Sequence, residues 1–145
     1  MRLLFLPKMA KLALWMGDIH VAEQYASESL LWATQGSGSD RDDEDAIHDG
    51  NMVLGLIALR RGDKERARQH LLASAQTEGS LEMRMGGPNL TLADALFKAG
   101  DRETVIEYLE GCGMFWRRGR SKLKEWIERI RRGEDPEFDT THLSS

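Results

Sequence analysis

Three Gly-Asp dipeptides, Gly17-Asp18, Gly62-Asp63 and Gly100-Asp101, each stand between two stretches of helical periodicity. A glycine just past a helix end accepts the left-handed conformation that stops the helix. An aspartate beside it caps the next helix with its carboxylate, and its charge suits that helix's positive end. A two-residue connection makes the flanking helices antiparallel neighbours. The flanks agree with this reading. Leu54, Ala58 and Arg61 lie at helical spacing before the middle dipeptide, and Ala67, Leu71 and Ala75 after it. Gly55 and Ala67 are small where the two helices must cross closely. The first unit places Met9, Ala10 and Ala13, then Ala22, Ala26 and Ser29, at the same offsets; the third places Leu92, Ala93 and Leu96, then Val105, Leu109 and Cys112.

Leu54-Gly55, Ala58, Gly62-Asp63, Ala67 and Leu71 resemble the signature of the tetratricopeptide repeat, a helical pair of ~34 residues. The best match runs from His48 to Leu81, with further units at Gly86 to Gly119 and Leu3 to Gly36. The family's tryptophan position holds Asn51 or Asn89 here, and its tyrosine position Ala58 or Leu96. The resemblance implies an all-α fold, a right-handed superhelical stack of antiparallel helical hairpins within a single domain, 1–133.

Beyond the third unit, Leu123, Trp126, Ile127 and Ile130 form one apolar stripe on an otherwise charged segment. That pattern predicts a helix over 120–132 that caps the open end of the stack, for about seven helices altogether. Residues 134–145 read as a loosely ordered tail from which Phe138 docks back. The run from Gly36 to Ala46, with its acids Asp40 to Asp45, reads as a solvated loop. Gly86-Gly87 breaks the chain, and Pro88 suits a first helical turn.

A chain of 145 residues, 41% hydrophobic and 30% charged, is long enough to bury a core and too apolar for wholesale disorder. Its net charge of −4 exerts no overall pull on nucleic acid. Cys112 is the only cysteine, so no intramolecular disulfide forms, which fits a reducing compartment. Lys8 and Lys11 interrupt the apolar start, and no stretch approaches the ~20 apolar residues of a membrane span. The expectation is a soluble cytoplasmic protein with no membrane association.

The histidines, His20, His48, His70 and His142, lack the i, i+3 or i, i+4 spacing that gives two ligands to one metal; they read as surface or capping residues. A calcium loop opening at Asp40 needs glycine at its sixth place and glutamate at its twelfth, where this chain has Asp45 and Asn51. Cys112 falls at a core-type helical position and no phosphate-binding glycine loop is present. No catalytic residue, metal or cofactor is expected.

The resemblance implies that first helices line a partner-binding groove, which places Met52, Leu56 and Arg60 from the middle unit and Leu90, Asp94 and Lys98 from the third on that surface. A protein or peptide partner is the leading expectation. The rival is nucleic acid. From Arg117 to Arg132 eight cations face two carboxylates, with Arg117, Arg118, Arg120, Lys122 and Lys124 foremost and Trp116 and Trp126 placed for stacking. Leu3, Leu4, Phe5 and Leu6 have no polar cap ahead of them, which predicts self-association.

Overall fold

The computed structural model describes residues 2–34, 40–76, 81–139 and 142–143, and side chains for 9–33, 46–76, 83–139 and 142–143. Among the described residues the chain is all helical. The helices are α1 (Arg2–Trp15), α2 (Ile19–Thr34), α3 (Asp40–Arg60), α4 (Lys64–Ser74), α5 (Leu81–Gly86), α6 (Thr91–Lys98), α7 (Glu103–Cys112) and α8 (Arg120–Arg131), with a 3-10 turn at Arg117–Gly119. None of them is long and apolar enough to cross a membrane.

The three Gly-Asp turns have the same construction. Gly17, Gly62 and Gly100 lie at φ +83°, +82° and +97°. Their N–H groups donate to the carbonyls of Leu14, Leu59 and Phe97 at 3.1, 3.1 and 3.0 Å. The N–H groups of Asp18, Asp63 and Asp101 reach one residue further back, to Ala13, Ala58 and Leu96, at 2.9, 2.9 and 3.0 Å. This paired arrangement is the helix stop that a left-handed residue permits. Each aspartate Oδ1 then accepts the backbone N–H three residues on: Val21 at 3.3 Å, Arg66 at 3.0 Å and Thr104 at 3.0 Å. A fourth such stop closes α8, where Gly133 (φ +82°) and Glu134 donate to Ile130 and Arg129.

Helix α3 is central and touches α1, α2, α4 and α6. Small residues let the helices approach: Ala10, Ala22, Ala26, Ala67 and Ala93 have no exposed surface. At Gly55 a Cβ would run into Leu92 of α6 and lie 3.2 Å from His70 Cβ of α4. Charged pairs then join each hairpin to the next. Glu23, five residues after Asp18, takes both arms of Arg61, which directly precedes Gly62, at 2.8 and 3.2 Å. Arg68, five residues after Asp63, pairs with Asp101, which directly follows Gly100, at 2.5 Å.

Several expectations need correction. Asp40 to Ala46 are the first turns of α3 and not a loop, since acidic residues suit a helix N-terminus; residues 36–39 lie outside the described residues. An eighth helix, α5, occupies part of the segment read as a break. Pro88 precedes α6 without entering it: Asn89 Oδ1 accepts the Thr91 N–H at 2.9 Å and the Thr91 hydroxyl at 2.6 Å, which starts the helix later. Only His20 among the histidines is exposed; His48 and His142 are buried.

His48 Nε2 accepts the Asn89 backbone N–H at 2.9 Å while Nδ1 meets the Ser74 carbonyl at 3.0 Å. Of the tail, Pro136, Phe138 and His142 are buried. Phe138 stands edge-on to Trp126 at 5.1 Å, His142 packs 4.9 Å from Trp116, and the His142 carbonyl accepts the Leu90 N–H. The side-chain cover of Leu3 to Leu6 lies outside the described residues.

Candidate partner-binding cleft

Helices α2, α3 and α4, from two successive hairpins, enclose a cleft of about 580 Å³. Its α3 side is Leu54, Ile57, Ala58 and Arg61, one helical face at i, i+3, i+4 and i+7. Glu23 and Ser27 come from α2, and Asp63, Arg66, Gln69 and His70 from the turn and α4.

Two rim groups have shifted protonation. The Glu23 carboxyl is held below its ordinary range, first by the hydrogen bonds from Arg61, against the opposing effect of burial. Burial, and then the nearby Arg66 charge, lower the His70 pKa, so its ring is neutral at pH 7. Its Nδ1 faces Asn51 Oδ1 at 3.0 Å, and the Asn51 amide nitrogen donates to the Ile47 carbonyl at 2.8 Å. The ring proton therefore sits on Nδ1, and Nε2 is left as a hydrogen-bond acceptor. Arg66 has no carboxylate partner among the described residues; Asp63 accepts only its backbone N–H. The cleft thus offers a mostly polar lining around the half-buried Leu54, with Ile57 and Ala58 almost wholly buried beneath it, together with a fixed ion pair, a neutral imidazole acceptor and an uncommitted guanidinium. Cys112 is fully buried, with its thiol pushed up to about 12 by burial, and is no nucleophile at neutral pH. Among the described residues no group of three or more His, Cys, Asp or Glu could hold a metal.

None of the six groove residues expected from the sequence lines this cleft. Met52 and Leu90 are core residues, 2% and 0% exposed, because their positions turn toward neighbouring helices; neither has surface to offer a partner. Leu56 is half-buried and Arg60 exposed. Asp94 and Lys98 pair with each other at 2.9 Å along α6. The signal for the other face of α3 was present in the spacing of Leu54, Ala58 and Arg61.

The basic C-terminal segment is exposed at Arg117, Arg118, Arg120, Lys122 and Lys124, yet much of its charge is engaged. Arg120 donates to the Gly113 carbonyl at 3.0 Å and Lys122 pairs with Asp139. Arg129 pairs with Glu125 and Glu137, Arg131 with Glu110 and Arg132 with Glu134. Trp116 and Trp126 are 6% and 3% exposed, so neither presents a face for base stacking.

Comparison of the chain with protein-family models, curated proteins and solved structures found no match in any of the three.

Proposed function

We propose that this chain is a short, non-catalytic helical-repeat module of the tetratricopeptide kind that binds a partner peptide in the α2–α3–α4 cleft. The observation that carries this reading is the convergence of Arg66, Gln69 and His70 with the half-buried Leu54 in one concave surface made by two consecutive hairpins. Polar groups held in a concave surface suit side-chain recognition with fixed orientation. Three turns of identical construction, and the contact of α3 with both α1 and α6, support the repeat reading. The ligand class that fits is a peptide with an acidic group for Arg66, a donor for His70 and one small apolar group for Leu54.

The test is selection of peptides on the native chain followed by affinity measurement on Arg66→Glu and His70→Ala. Both positions lie at the surface or half-buried, so circular dichroism should show folded variants. Selected peptides should lose roughly tenfold or more, about 1.4 kcal/mol, with Arg66→Glu. Binding that survives both changes but disappears with Arg60→Glu plus Lys98→Glu would move the site to the outer positions of α3 and α6. Failure to select any peptide would count against the module reading itself.

A further inference from the structure

The two ends of the molecule differ. The exposed side of α8 carries Lys124, Glu125 and Glu128, a polar end of the kind that closes a helical array. Helix α1, at the other end, exposes Met9 (40%), Leu12 (59%), Trp15 (45%) and Met16 (75%). Met9, Leu12 and Met16 fall at i, i+3 and i+7, one face of the helix. Aligned on the Gly-Asp turns, they occupy the places of Leu54, Ile57 and Arg61 in α3. In α3 those residues face the hairpin before: they border the cleft with Glu23 and Ser27, and Arg61 grips Glu23. The same places in the third hairpin hold Leu92, which packs at Gly55, and Ala99, whose carbonyl accepts the Lys64 ammonium at 2.9 Å. The α1 stripe is therefore the inter-hairpin docking face, and no described residue covers it.

We propose that this face is covered by the α1 of a second copy, in an antiparallel two-fold contact centred on Leu12. A stripe at i, i+3 and i+7 is self-complementary in that arrangement. Leu12 meets its own counterpart, and Met9 meets the Trp15–Met16 end of the other copy. A two-fold contact also closes on itself and does not propagate. The surface exposed at these four residues is roughly 450 Å² per copy, in the middle of the range for the largest patch on a monomer. Two copies bring about 900 Å², near the ~1,000 Å² a specific contact needs, before flanking polar surface is added. Head-to-tail stacking would set the stripe against the charged side of α8 and bury Lys124 and Glu128 against apolar side chains. Lys11, the described cation on α1, is held off the stripe by Asp49 at 3.3 Å. Leu12 does not line the α2–α3–α4 cleft, so this contact stands or falls apart from the binding reading.

Sedimentation equilibrium of the full chain at micromolar concentration should give twice the chain mass, and Leu12→Glu should give the chain mass with an unchanged helical spectrum. Independently, oxidised Leu12→Cys should form a linked dimer, whereas Lys124→Cys should not; Cys112 is fully buried and does not compete. A native monomer at high micromolar concentration overturns the proposal. So does a dimer that persists in Leu12→Glu, or linkage through position 124 in place of 12.

Discussion

His48 Nε2 lies 2.9 Å from the backbone nitrogen of Asn89 and accepts its proton, while the opposite ring nitrogen donates to the Ser74 carbonyl. One side chain on α3 thereby ties the end of α4 to the loop that launches α6. Replacement of His48 by Phe fills the volume but strands a donor and an acceptor in a site 3% exposed. Each stranded group costs about 1–3 kcal/mol, so His48→Phe should lose roughly 2–4 kcal/mol in urea unfolding.

Two glycines inside helices should respond in opposite directions. At Gly55 a Cβ runs into Leu92, which is 1% exposed; overpacking of this kind costs about 1–3 kcal/mol, more than the gain in helix propensity. At Gly111 the new Cβ would meet only Ala75 Cβ, at an ordinary 3.5 Å. Gly55→Ala should therefore lower the melting temperature, and Gly111→Ala should raise stability by about 0.5–1 kcal/mol.

The three turn aspartates should not be equal. Asp18 and Asp63 are exposed caps, and alanine at either should remove about 1 kcal/mol. Asp101 is 8% exposed and also holds Arg68, so Asp101→Ala should be the most damaging of the three. Burial alone would raise its carboxyl, but the Thr104 N–H and the Arg68 guanidinium outweigh that and hold it below the ordinary value of 3.8. The folded form thus favours the carboxylate. Its contribution is present above about pH 4 and fades as pH falls through the folded value. Denaturation series for the alanine variants should converge in acid.

For His70 the sign is opposite in effect on the charge. Its folded pKa lies below the ordinary 6.5, so below that pH the unfolded chain binds the extra proton. Stability from this group is complete above about pH 6.5 and declines as pH falls toward the folded value. Urea midpoints measured across this interval should show a slope in the native chain that His70→Gln reduces.

What the sequence made legible was local. A helix stop needs only a glycine and its neighbours, so all three Gly-Asp turns and the four-residue stripe of α8 could be read directly. The stop at Gly133-Glu134 lacks the Gly-Asp signal because, among the described residues, no helix follows it to be capped. The start of α3 is not legible in the sequence, because a run of acids looks alike in a solvated loop and in a helix's first turns. His48, His142 and Asn89 depend on contacts across 41 and more residues, which spacing along the chain cannot reveal. The cleft was missed by a rotation about α3: the residues expected to line a groove point to a different side from Leu54, Ile57 and Arg61.

The pairs that join successive hairpins reverse sign from one junction to the next: an acid from α2 reaches a base, then a base from α4 reaches an acid. The exposed Glu23–Arg61 pair adds little to stability, but both pairs act as addresses. If the first hairpin were spliced ahead of the third, Glu23 would confront Asp101, carboxylate against carboxylate. Like charges so placed penalise a wrong neighbour more than opposite ones reward the right one. The order of the hairpins is thus written into the chain twice, once by covalent succession and once by charge, and the second copy of that instruction would resist shuffling or exchange of units between molecules.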